Sequence, residues 1–405
     1  MRLVHSAAVT ALLACAALMA AGDAAAVGCS AHSPLIYGGP AVEVSLWTDE
    51  TGKALTYNRT FLVRLPRSRD AAPLLIGVHG ANQAAEDFTN GSNIDVASTA
   101  AGYVFAAPRA LHAAICNCSV WGGTVTTPDL GDVLVQHVPA VMPPGNESEV
   151  PFLRGLIACM HSALSISLSG EMYTAGFSQG AKVATQLACT NLSTITGPAW
   201  AVRAAFIYGP AFVNVDDSLP GCAVKAPALL AVADALDIIT PLCSYEPSSQ
   251  LAPDVVFLTA WARYVARCSG QLPDVAWCAS PTSAPGDNAT LIRALSAFSW
   301  PGCSSTMGLL YTSHRRLLGA PKIPTFGHEW PGVMAELNHR DATRLMLDFF
   351  HAAVQSSPAQ VLADTFLQPG SSLSQCNASA AWPCKDGPVT SALERGFKWL
   401  NKLAG

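Results

Sequence analysis

Charge is what this chain has least of. Only 13% of its 405 residues are Asp, Glu, Lys or Arg, and the net charge is −5 at neutral pH. A nucleic-acid surface needs a basic patch or stripe, so nucleic acid is excluded as a partner and a neutral or surface-presented substrate is favoured. The sequence has no internal repeat and no low-complexity block beyond its N-terminus. Metal-ligand spacing is missing too. Cys116-Asn117-Cys118 is the one close cysteine pair, the others are scattered, and no zinc template fits. No metal site is therefore expected.

Half of the residues are hydrophobic, enough for a sizeable core, and the length suits one large α/β domain with insertions or two domains. Arg2, the apolar run Ala7–Ala21 and the small-residue exit Ala24-Ala25-Ala26 form a secretory leader, too short to span a membrane, with cleavage expected after Ala26. Val27-Gly28-Cys29 is faintly like a bacterial lipoprotein site, but Asp23 interrupts the run before it. Of 13 cysteines, Cys15 leaves with the leader; the remaining twelve suit an oxidising compartment and disulfides. Seven N-x-S/T sequons, at Asn58, Asn90, Asn117, Asn146, Asn191, Asn288 and Asn377, point to a secreted eukaryotic glycoprotein. The expected organisation is a leader (1–26), a main domain without a separate cap (27–355) and a C-terminal extension (356–405). The apolar stripe Leu393, Phe397, Leu400 is expected to dock on that domain rather than on a membrane.

Strand-like and helix-like stretches alternate along the middle of the chain. The pattern predicts strands over 53–65, 73–78, 103–106, 204–208, 228–232 and 308–312. Helices are predicted over 86–101, 150–164, 181–188, 256–267 and 341–354, with a Cys-rich loop over 110–123. Such alternation predicts a mostly parallel central sheet with helices on both faces.

The chemistry centres on Glu171 to Ala181. A β-prone run ends in Gly176-Phe177-Ser178-Gln179-Gly180, and a helix-prone run begins at once. A bare G-x-S-x-G is a weak signal. Between strand and helix, roughly 100 residues after a His79-Gly80 that itself closes a strand, it reads as a nucleophile elbow. A hydroxyl attacks only after a base takes its proton, and the base needs an acid to fix its tautomer. The order Ser, Asp, His selects Ser178, then Asp237 after the 228–232 strand, then His328 in Gly327-His328-Glu329-Trp330-Pro331-Gly332. Asp234 is a rival acid, and His314 and His339 are rival bases. Oxyanion donors are expected from the amides of Ala81 and Gln179. Trp121 and Trp330 are candidate substrate-pocket walls, with core packing as the alternative for each, and His79 is expected to be structural rather than a base.

His79-Gly80, Gly-Phe-Ser178-Gln-Gly and above all Gly-His328-Glu-Trp-Pro-Gly resemble the secreted polyhydroxybutyrate depolymerase and feruloyl esterase family of α/β-hydrolases. The resemblance runs from about Pro73 to Ala353. It implies an α/β-hydrolase fold and a serine esterase that needs no cofactor. The ester substrate it implies is polysaccharide-linked (feruloyl, acetyl) or polyester (polyhydroxyalkanoate). It places the family aspartate on Asp237, although Ala233-Asp234 stand where the family has His-Gly, and it pairs Cys268 with Cys303. A serine peptidase of the same fold is an alternative. So is a catalytically silent, carbohydrate-binding member.

Overall fold

A computed structural model describes residues 27–113, 118–121, 149–189, 200–209, 228–234, 293–299, 305–314, 330, 342–356 and 361. Among the described residues ten strands form the main sheet: β1 (Cys29–Ala31), β2 (Val42–Thr48), β3 (Ala54–Arg64), β4 (Ala72–Val78), β5 (Val104–Pro108), β8 (Leu168–Phe177), β9 (Ala201–Tyr208), β10 (Ala228–Asp234), β11 (Arg293–Ser299) and β12 (Met307–His314). Their order is β1-β2-β3-β5-β4-β8-β9-β10-β12-β11. From β5 to β12 every neighbour is parallel, while β1 to β3 and the outer β11 are antiparallel. A separate hairpin joins β6 (Leu111–Ala113) to β7 (Cys118–Val120).

The central strands are continuous apolar runs because both of their faces are covered. On one face, α3 (Val150–Ala158) and α4 (Gln179–Cys189) pack Phe152, Leu156, Val183 and Leu187 against Leu74, Ile76 and Ile207. On the other, α1 (Ala85–Ser92), α2 (Ile94–Ala100) and α5 (Ala342–Gln355) bring Phe88, Ile94, Met346 and Phe350 onto Leu75, Tyr173 and Phe206. The expected mostly parallel, two-sided sheet is the one observed. Among the described residues no helix is long and apolar enough to cross a membrane.

Several local expectations are corrected. The helix expected over 86–101 is two helices, broken at Asn93, whose φ of +52° closes α1 and opens α2. Asparagine tolerates the left-handed region better than other side chains, so the kink falls there. The Cys-rich loop contains the β6–β7 hairpin. Strands β1, β2 and β11 were not anticipated. The helix over 150–164 ends as α3 and continues as one π-helical turn, Cys159–Ala163. That turn carries Cys159, disulfide-bonded to Cys29 across 130 residues of sequence. The bond also removes Cys29 from consideration as a lipid attachment site. The expected 256–267 helix, the Cys268–Cys303 pair and nearly all of the 356–405 extension lie outside the described residues.

Candidate active site

Strand β8 ends at Phe177 and α4 begins at Gln179, which leaves Ser178 as the whole of the turn. Its φ is +53°, in the left-handed region, and it is nearly buried at 7% exposure. An L-residue holds that conformation only where its surroundings over-determine it. Here they do. The Ser178 amide donates to the Tyr208 carbonyl at 3.0 Å, and the Ser178 carbonyl accepts from Ala181 at 2.9 Å. A Cβ on Gly176 would strike the Gly180 carbonyl oxygen and lie 2.7 Å from the Ala181 Cα. A Cβ on Gly180 would strike the carbonyl oxygens of Val78 and His79. Both glycines of the G-x-S-x-G are thus required by backbone approaching backbone.

The turn after β4 closes against this elbow. A Cβ on Gly80 would lie 3.1 Å from both the Ser178 Cβ and the Phe177 Cδ1. Gly80 donates its amide to Gln83 Oε1 at 3.0 Å, Ala81 follows on the exposed side, and Asn82 has a φ of +58°. The structure therefore brings together Ser178, Gln179 and the turn that holds Ala81, three of the expected site residues. In register, Phe177 faces Tyr208 and Tyr208 faces Val232, so the ends of β8, β9 and β10 form one rim beside the serine. Asp234 is the last residue of β10, paired in register with Thr312. Asp237 and His328 lie outside the described residues. So does His339, while His314 ends β12 in register with Arg293 of the outer strand.

His79 is a structural group. The Ala110 amide donates to its Nε2 at 3.1 Å, so Nδ1 carries the proton and donates to the Gly80 carbonyl at 2.7 Å. Burial pushes its imidazole down from the ordinary 6.5 to about 4. Between pH 6.5 and 4 the unfolded chain therefore binds a proton that the native protein does not, and stability falls as pH falls through that window. Below it the contribution is level. The loss is on the order of 3 kcal/mol at about 1.4 kcal/mol per pH unit. Urea unfolding at pH 7 and pH 4.5 should show His79→Gln weaker at pH 7 but less acid-sensitive than the parent by roughly that amount. Equal acid sensitivity would remove His79 as the cause.

The two tryptophans expected to wall a pocket sit in the packed interior. Trp121 is fully buried; its ring lies 4.8 Å from that of His79, and its indole N–H donates to the His79 carbonyl at 2.8 Å. Trp330 is 8% exposed and packs on Phe88, Phe206 and Tyr208. Its N–H donates to Thr343 Oγ1 at 3.0 Å, and that hydroxyl donates to the Ser92 carbonyl at 2.8 Å. The side-chain roles of Gln179 and Gln83 are not legible in the sequence. Gln179 Oε1 accepts from the Trp121 amide at 3.2 Å, and nothing in the local pattern signalled a partner 58 residues away. No cluster of His, Cys, Asp and Glu suited to a metal occurs among the described residues.

A parallel sheet wound on both faces, with a left-handed serine between its central strand and the following helix, defines the α/β-hydrolase fold. No protein-family model matches the sequence, and no curated protein matches it. Solved structures similar to it include an acetyl xylan esterase from Aspergillus awamori, 10% identical, with a TM-score of 0.41 over 68% of this chain and 94% of that one. An S-formylglutathione hydrolase from Agrobacterium tumefaciens is 12% identical, with a TM-score of 0.36 over 57% and 86%. A ferulic acid esterase is 15% identical, with a TM-score of 0.30 over 44% and 63%. Identities this low leave the reaction to be argued from the site.

Proposed function

We propose that the protein is a secreted serine carboxylic-ester hydrolase. The observation that carries this reading is Ser178 itself, held at a φ of +53° at the rim of the sheet with both flanking glycines sterically obligatory. Ser165 shares that φ in an exposed connection, so the reading rests on the whole elbow: a left-handed serine between a central parallel strand and a helix, between glycines that admit no Cβ. Ser178 Oγ attacks the ester carbonyl, His328 takes its proton, and Asp237 orients the imidazole and stabilises its charged form. The oxyanion is received by the amides of Ala81 and Gln179. His328 then protonates the departing alcohol, and water repeats the sequence to free the acid.

Support for His328 comes from Trp330. Its indole packs on Tyr208, whose carbonyl holds the Ser178 amide, and two residues of chain reach no further than about 7 Å. Asp237 follows three residues after β10 leaves the same rim, with Asp234 as the second choice. The substrates proposed are feruloyl or acetyl esters of polysaccharides, or polyhydroxyalkanoate chains, in keeping with a weakly charged protein. The Cys29–Cys159 bond suits an oxidising compartment, and Asn58 and Asn90 are exposed, as glycan acceptors must be.

The test is covalent. A fluorophosphonate probe should label the secreted protein, and peptide mapping should find the adduct on Ser178. Methyl ferulate, p-nitrophenyl acetate and a short polyhydroxybutyrate would then rank the ester classes. A folded protein that takes no label and cleaves none of the three is not an esterase.

A further inference from the structure

We infer that Trp121 is a positioning residue that braces the two halves of the oxyanion site, fixing the turn that holds Ala81 against the elbow that holds Gln179. The inference rests on the esterase reading and deepens it. Trp121 reaches both halves at once. Its indole N–H donates to the His79 carbonyl at 2.8 Å, and its backbone N–H donates to Gln179 Oε1 at 3.2 Å. The His79 carbonyl is one of the two groups, with that of Val78, that leave no room for a Cβ on Gly180, so the bond anchors a point of closest approach between turn and elbow. The hairpin carrying Trp121 holds the turn a second time, where the Asn82 amide donates to the Ser119 carbonyl at 2.8 Å. Full burial of the indole, in tilted contact with the His79 ring, prevents the brace from swinging out.

Bracing matters because two amides serve one oxygen. Each must lie about 2.7–3.1 Å from the oxyanion, and a donor lost outright costs on the order of 10²–10³ in kcat. A gap that loosens by a fraction of an ångström weakens both donors together. It acts on the tetrahedral state, whereas ester binding in the ground state is largely indifferent to it.

Trp121→Phe keeps a buried ring and removes the indole N–H. Gln179→Met leaves Trp121 and the core intact and removes the acceptor at the other end. Each is expected to lower kcat by about 10- to 100-fold, with KM within about twofold. Affinity for a boronic acid, which forms a tetrahedral adduct on the serine, should fall in parallel with kcat/KM. The double variant should lose little more than the worse single one, since both changes release the same gap. A purely structural tryptophan would instead lower the melting temperature and leave kcat of the folded enzyme and boronate affinity unchanged. That result, or fully multiplicative losses, overturns the brace. If Trp121→Phe does not fold, Gln179→Met decides alone. Fluorophosphonate labelling of the parent is run first. An unlabelled, inactive parent overturns the esterase reading and the brace with it; a labelled parent whose variants keep kcat overturns the brace only.

Discussion

Ser178→Gly is expected to abolish ester turnover and to be more stable than Ser178→Ala. Without its nucleophile, a serine hydrolase loses on the order of 10⁶ in kcat, and only binding and the oxyanion donors remain to help water. Both variants should fall to that floor. They differ in the backbone they must hold. Position 178 sits at a φ of +53°, where alanine carries the same strain as serine and glycine carries none. Neither has a hydroxyl, so whatever Oγ contributes cancels between them. Strain of about 1–2 kcal/mol is relieved in the glycine variant, against about 0.5–1 kcal/mol for the greater freedom of glycine in the unfolded chain. The glycine form should therefore lead by up to about 1.5 kcal/mol in urea unfolding. An alanine variant more stable than the glycine one by about 0.5–1 kcal/mol would mean that no strain is stored at the elbow. Residual turnover within a hundredfold of the parent would place the nucleophile elsewhere.

The second large effect lies far from the chemistry. The Cys29–Cys159 bond closes a loop of 130 residues, fastening β1 to the π-helical turn after α3. Chain entropy alone assigns a loop of that length a stabilisation of about 5 kcal/mol, and removing a native disulfide typically costs about 2–5 kcal/mol. A marginally stable domain has little more than that in total. Cys29→Ser/Cys159→Ser should therefore unfold at much lower urea concentration or fail to accumulate as folded protein. The paired substitution is the cleaner test, since it touches this bond alone, whereas reductant acts on any cystine. An unchanged urea midpoint would show that the terminal strand is held by its ladder alone.

The elbow was legible because it rests on local chemistry: an apolar run, two glycines a residue either side of a serine, and a helix-prone run within a dozen positions. The central strands were legible for the same reason, since burial on both faces writes them as unbroken apolar stretches such as Leu74 to Val78. Partnerships across the fold were not. Cys29 with Cys159, Trp121 with Gln179, and Trp330 with Thr343 are set by packing of elements far apart in sequence. Strand β2 alternates Val42, Val44 and Leu46 with Glu43 and Ser45, a readable period of two that lies before the first strand anticipated. The tryptophans show the limit of reading by type. An indole beside a motif suggests a pocket wall, yet both rings serve by filling the interior and aiming an N–H. The acid and base of the triad remain expectations of order and motif, since Asp237 and His328 lie beyond the described residues.

The three-residue β1 has a further consequence. Among the described residues it is the outermost strand on its side, and with its flanks (Gly28 and His32 to Trp47 and Glu43) it covers most of the length of β2. A foreign chain looking for a ladder on that margin finds only a stub, which discourages templated fibre growth. Reduction of its anchoring cystine would let the stub peel away and bare a seven-residue strand of alternating pattern. The same sulfur bridge that steadies the chain thus keeps its sheet from being extended by a neighbour.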